Sequence, residues 1–303
     1  MKLSRCLAII LSITFIMVSA CETEKTDEGA KKEKGQVEGT VSLAYVEWSS
    51  ELASTNVVRV VLENAGYEVD IIPVSAAAMW QATASGDVDG MVGAWLPTTH
   101  ENYLKAVKGK VVNLGPNLEG TRIGLVVPTY VTIDSIPEVN KNADKFDNEI
   151  IGIDPGAGIM STTEKMMEEY KTDNVTLVEG SGATMTAALA GAVKNKEWIV
   201  VTGWTPHWMF GRWDLKYLED PKGVFGGKEY IATYVSKGLK EDKPVAYKIL
   251  DNFYWTPEQM QEVMAMNQKK GTDPYENAKK WVSENQDTVN KWIPESVKKQ
   301  ENQ

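Results

Sequence analysis

Cysteine is nearly missing from this chain: there are two, Cys6 and Cys21, and both fall within the first 21 residues. The remaining sequence therefore has neither a disulfide framework nor a thiol nucleophile, and its core must hold it together. Histidine is as scarce. His100 and His207 are the whole supply, and neither has a cysteine or close carboxylate partner, which makes a poor zinc set. No metal and no cofactor is expected. A basic excess is lacking too, with 32 Lys and Arg against 42 Asp and Glu and a formal net charge of −10. That balance argues against nucleic acid or an anionic membrane surface as the main partner. There is no G-x-S-x-G elbow, no G-x-G-x-x-G fingerprint and no G-x-x-x-x-G-K-[ST] loop. An extracytoplasmic enzyme such as a hydrolase is accordingly disfavoured, because no nucleophile and base set is visible.

The start of the chain is a different matter. Met1-Lys2-Leu3-Ser4-Arg5 is short and basic, residues 7–18 are dominantly apolar, and Val18-Ser19-Ala20 places small residues before Cys21. This resembles a bacterial lipoprotein signal, in which cleavage precedes the cysteine and lipid is attached to its thiol. An ordinary signal peptide or a membrane anchor is the alternative, and the apolar run is short for a bilayer span. Residues 1–20 are expected to be the signal, Cys21 the lipidated membrane anchor on the extracytoplasmic side, and residues 21–39 a polar, mixed-charge tether that cannot bury enough surface to order itself.

From residue 41 the pattern alternates. Residues 41–46 read as strand, 52–65 as helix closed by Gly66, 69–74 as strand, 76–85 as helix closed by Gly86, and 88–94 as strand. Residues 150–153, 161–170, 175–178, 185–193 and 198–202 repeat that order. Two β-α-β-α-β units of this kind predict two α/β lobes, each a doubly wound sheet flanked by helices. Residues 123–127 and 231–235 follow their units at matching offsets and are expected to cross between lobes, as in hinged binding proteins. The boundaries expected are 41–125 for lobe one, 126–235 for lobe two with the crossings, and 236–303 for C-terminal helices packed on lobe one. Trp255, Trp281 and Trp292 lie on apolar stripes of those helices and are expected to pack.

Each unit ends in the same device. Gly93-Ala94-Trp95-Leu96-Pro97 and Thr202-Gly203-Trp204-Thr205-Pro206 both set a Trp-x-Pro turn directly after a strand. A residue beyond the carboxyl end of a strand in an open α/β sheet faces the ligand crevice. Trp48, in Glu47-Trp48-Ser49-Ser50, ends the first strand likewise. Three indoles around one space form a cage that attracts a quaternary ammonium group, which has no N–H to donate. The turn Asp154-Pro155-Gly156-Ala157-Gly158-Ile159-Met160 joins a strand to a helix and exposes backbone N–H groups, favouring an anion such as a carboxylate. His100, five residues after Trp95, is close enough to donate to the same carboxylate. His207 reads as a local structural partner.

At this level the stretches LAYVEWSSELAST, GAWLPTTHENY, GLVVPTY, IIGIDPGAGIMS, TGWTPHWMF and LKYLEDPKGVFG make residues 41–303 resemble the glycine betaine and proline betaine binding proteins of bacterial ABC importers, the OpuAC-like group. The resemblance implies a type II periplasmic-binding-protein-like fold, no enzymatic activity, and a membrane permease as partner. It also implies a trimethylammonium cage of Trp48, Trp95 and Trp204, with the ligand carboxylate held by His100 and the amides of Gly158 and Ile159. Some members carry the glycine-turn lobe first, whereas here the Trp48 and Trp95 lobe leads. A ligand-sensing lipoprotein using the same site without transport is the alternative.

Overall fold

A computed structural model describes residues 39–298. The expected signal, Cys21 and nearly all of the tether lie outside the described residues. Within them the order is β1 (Thr40–Tyr45), α1 (Ser49–Asn64), β2 (Glu68–Pro73), α2 (Ala76–Ser85), β3 (Gly90–Leu96), α3 (Glu101–Ala106), β4 (Val111–Pro128), β5 (Glu149–Ile151), α4 (Gly158–Tyr170), β6 (Thr176–Val178), α5 (Gly182–Asn195), β7 (Val201–Thr205), α6 (Met209–Arg212), β8 (Leu215–Tyr217) and β9 (Glu229–Ser236). Helices α7 (Leu239–Asp242), α8 (Pro244–Asn252), α9 (Pro257–Asn267), α10 (Pro274–Glu284), α11 (Gln286–Val289) and α12 (Glu295–Lys298) follow.

Helix ends are written locally. Ser75 caps α2 by accepting from the Ala78 N–H, and Gly86 ends it at φ +82, a conformation that Gly adopts at little cost. Ser181 with Thr184, and Thr256 with Gln259, form reciprocal caps on α5 and α9. Strand β3 is buried along its whole length, as a run without polar alternation requires.

The strands lie in the order β2-β1-β3-β9-β4-β7-β5-β6, with β8 on β4. Strands β1, β2 and β3 are mutually parallel, as are β5, β6 and β7, while β9 and β4 run antiparallel between them. This is the two-lobed α/β class expected. The long β4 joins the halves: up to Thr121 it pairs with β9, and from Arg122 it pairs with β7. Residues after the first Trp turn thus pair in the second half, where Ile123 faces Trp204, and residues after the second Trp turn pair in the first half, where Ile231 faces Trp95. The units exchange strands. The changeovers fall between Thr121 and Arg122 in β4 and at Glu229, where β9 begins; periodicity marks a buried strand without naming its neighbour.

Helices α8, α9 and α10 pack on α1. Trp255 meets Trp281 edge-on at 5.8 Å, and Phe253 meets Trp292 edge-on at 4.9 Å. All four rings are buried, and Trp292 Nε1 donates to the Tyr254 carbonyl at 2.9 Å. Helix α11 is a single turn. Helix α3 and strand β8, too short to show periodicity, were not expected.

Candidate functional site

Trp48 sits in extended backbone at the start of α1, where its carbonyl accepts from the Leu52 N–H at 2.8 Å. Its turn is pinned from inside. The Glu51 carboxyl accepts from the Val46 N–H at 3.1 Å and lies so close under β3 that a side chain at Gly93 would overlap it. Trp95 is the penultimate residue of β3, and the following turn closes on itself: the His100 N–H donates to the Trp95 carbonyl at 2.9 Å, and the Trp95 N–H donates to His100 Nδ1 at 3.2 Å. Glu229 of β9 clamps that turn, accepting from the Thr98 and Thr99 N–H groups at 2.7 and 2.8 Å and from the Thr99 hydroxyl at 2.6 Å. Trp204 occupies the equivalent place at the end of β7. The Leu96–Pro97 and Thr205–Pro206 bonds are both cis, so the two turns match in backbone as well as in sequence.

One cavity brings together Trp48, Trp95, His100, Gly158, Ile159 and Trp204, which are all six of the residues singled out for binding. Ser50, Thr99, Ile123, Ile153 and Ala157 complete its wall. The three indoles are buried, and the Nε1 of Trp204 has no partner among the described residues. Trp48 and the His100 ring lie 5.7 Å apart.

Two kinds of N–H donor stand at this cavity. Because His100 Nδ1 accepts, its ring proton sits on Nε2, which is buried and without a partner among the described residues. Burial lowers its pKa to about 3, so the ring stays neutral at ordinary pH. The first N–H groups of a helix have no intrahelical acceptor, and α4, opening at Gly158 after Ala157, carries no side-chain cap. A neutral N–H donor and a helix N-terminus suit an anionic group. Indole faces suit a cation that cannot donate. An occupant with a carboxylate at one end and a methylated ammonium at the other fits both.

The walls come from both halves, and they touch. The Trp48 indole donates from Nε1 to the Asp154 carboxylate at 2.7 Å, and the Tyr103 hydroxyl donates to the Gly156 carbonyl at 2.5 Å. A Cβ on Gly158 would lie 2.0 Å from the Thr99 carbonyl oxygen. The halves are closed upon one another. Glu51 beneath them has its pKa raised well above the usual carboxylate range, chiefly by burial and further by Asp154, against the Val46 amide. His207 lies outside the cavity; its Nδ1 accepts from the Met209 N–H at 3.1 Å and its ring meets Trp204 edge-on at 4.5 Å.

Sequence reasoning did not single out Asp154, Tyr103 or Thr99. Asp154 stood inside the glycine turn, and an acid at a strand end was the available signal. Its contact with a residue 106 positions away was not readable.

The family model for the substrate binding domain of ABC-type glycine betaine transport systems matches residues 39–284. Over 151 residues the chain is 54% identical to the glycine betaine/carnitine transport binding protein GbuC of Listeria monocytogenes serotype 1/2a (strain 10403S), a stretch that covers 49% of this chain and 50% of that protein. The match thus spans about half the length of that curated relative. The crystal structure of lactococcal OpuAC in its closed-liganded conformation, complexed with glycine betaine, has a TM-score of 0.81 and 44% identity, covering 84% of this chain and 100% of that one. The glycine betaine/L-proline-binding protein ProX from Borrelia burgdorferi gives 0.84 and 42%, covering 86% and 98%.

Proposed function

This chain belongs to the family of substrate-binding domains of ABC-type glycine betaine transport systems, and from that premise we propose that it captures glycine betaine, or a related quaternary ammonium solute such as proline betaine, outside the cytoplasm and delivers it to a membrane permease. Trp48, Trp95 and Trp204 are assigned the methylated cation. His100 Nε2 and the amides of Gly158 and Ile159 are assigned the carboxylate. Cys21 is assigned the lipid that keeps the protein at the membrane. Two bodies move about the crossings in this reading: residues 40–121 with 229–298, and residues 122–228.

The observation that carries the proposal is the meeting of three indoles, a neutral histidine donor and an uncapped helix N-terminus at one cavity. Magnitudes are adequate. Three desolvated cation–π contacts at about 1 to 2 kcal/mol each, with charge-assisted hydrogen bonds at about 1.5 to 3 each, give roughly 8 to 12 kcal/mol gross. Ordering and closure reduce that total, leaving micromolar to sub-millimolar affinity, where 1 μM corresponds to about −8.2 kcal/mol. Such affinity suits capture followed by release.

Isothermal titration calorimetry tests this directly. Glycine betaine is expected to bind, and absence of binding at millimolar ligand removes the proposal. Trp204→Ala should weaken binding about 30-fold or more, given about 2 kcal/mol for a buried cation–π contact. Trp213→Ala should leave it nearly unchanged, since Trp213 packs against Trp208 and Arg212 away from the cavity.

A further inference from the structure

The side chain of Asp154 is not used where a strand-to-helix turn would use it. Its backbone carbonyl closes the turn by accepting from the Ala157 N–H at 2.9 Å, but the N-cap of α4 is Ala157 and no side chain caps that helix. The carboxylate instead reaches across the cleft to Trp48 Nε1 at 2.7 Å, although Asp154 itself is only half-buried. A carboxylate held on a buried indole is a stronger and more directional acceptor than turn formation requires.

We propose that Asp154 is a positioning residue for the cation cage: it fixes the Trp48 ring from the opposite lobe, so that the cage is complete only when the lobes meet. The proposal rests on the betaine reading of the cavity. Two physical effects combine. The hydrogen bond sets the rotation of an indole whose backbone lies in lobe one. The negative charge at the indole N–H pushes electron density into the ring and strengthens the attraction of its face for a cation. Burial chiefly raises the pKa of Tyr103 and Glu51, and the Asp154 carboxylate nearby raises both further. Tyr103 on Gly156 and Thr99 against Gly158 bring the turn after β3 onto the same glycine-rich turn, so the Trp48 contact is one of several seams.

A double-mutant cycle on the full chain separates this role from a merely structural one. Trp48→Phe keeps an aromatic face and removes the N–H, whereas Asp154→Asn keeps the shape and removes the charge. Calorimetry with glycine betaine should show each single variant weakened about tenfold, as expected when a charge-assisted contact loses its charge. The double variant should be little worse than the weaker single, because the two residues act through one contact. Multiplicative losses, about a hundredfold in the double, or an Asp154→Asn variant that binds like the parent, would overturn the proposal. In 1H–15N spectra, the indole resonance missing from Trp48→Phe should move upfield in Asp154→Asn with ligand bound; an unmoved resonance also overturns it. Ligand-free melting confirms that each variant folds. If the parent chain binds no glycine betaine, the reading of the cavity fails and this role fails with it. If the parent binds and the cycle is additive, only the role of Asp154 is lost.

Discussion

Gly158 shows how little room a single atom has here. A Cβ there would lie 2.0 Å from the Thr99 carbonyl oxygen, a backbone atom that no rotamer change can clear. Gly158→Ala is therefore expected to keep the halves apart. Affinity for glycine betaine should fall a hundredfold or more, about 2.7 kcal/mol, while the ligand-free melting temperature stays within a few degrees. Calorimetry and thermal melting check the two parts; retained affinity would mean that closure does not bring Gly158 against Thr99. Buried titratable groups make a second residue-scale prediction. His100 and His207 both have pKa lowered to about 3 by burial. An unfolded chain protonates them near 6.5 and the folded chain does not, so stability is full above that pH and lost as pH falls toward 3. At pH 5 each would cost about 2 kcal/mol. Glu51, with its pKa raised, has the opposite sign: it costs stability at neutral pH and returns it as pH falls toward 4.5. The two histidine losses together, about 4 kcal/mol at pH 5, exceed the most that one carboxyl can return over two pH units, about 2.7 kcal/mol, so stability falls between pH 7 and pH 5. Urea unfolding at both pH values measures it, and His207→Gln should flatten the dependence.

Elements determine where these residues can act. The turn from Trp95 to His100 is held by Glu229, whose carboxylate satisfies two amides and a hydroxyl from a strand 130 positions away. Glu229→Ala leaves those half-buried donors unpaired. It should cost about 3 kcal/mol by urea unfolding and weaken glycine betaine at least tenfold, by loosening Trp95 and His100 together. A stability loss with unchanged affinity would show that the turn needs no clamp. This clamp also marks the limit of what the sequence discloses. The repeated Trp-x-Pro turns, the glycine-rich helix start and the strand-helix alternation were local patterns, and each led to its element and to the six cavity residues. The clamp, the exchange that sets Ile123 against Trp204 and Ile231 against Trp95, and the bond from Trp48 to Asp154 are pairings between distant segments. Side-chain period marks a strand's faces, but its neighbour is chosen by the packed whole. The tryptophans of the C-terminal helices were legible for the converse reason, since an amphipathic stripe must be covered by something.

At the scale of the whole molecule, the cavity exists because two sheet halves meet, and so ligand binding and closure should be one equilibrium. Direct seams include Trp48 on Asp154, Tyr103 on Gly156, Thr99 against Gly158 and Thr98 against Gly226. The two hydrogen bonds among them, partly open to water, are a weak drive to close by themselves, since bonds of this kind are worth about 1 kcal/mol net each. A ligand that satisfies indoles from both halves, His100 Nε2 and the α4 N-terminus at once supplies the remainder, because it has full contact only in the closed form. Small-angle scattering should accordingly give a larger radius of gyration without ligand than with saturating glycine betaine. The same linkage fixes a thermal shift. Ligand at a thousand times its dissociation constant stabilises the bound form by about 4.1 kcal/mol. For a domain of this size, that corresponds to a rise in melting temperature of about 10 °C. Choline, lacking a carboxylate, can use the cage but not His100 or the α4 amides, and should shift melting by less than half as much at equal concentration. His100→Ala should then reduce the betaine shift and leave the choline shift nearly untouched. Equal losses for both ligands would mean that His100 supports the fold of the turn and not the carboxylate.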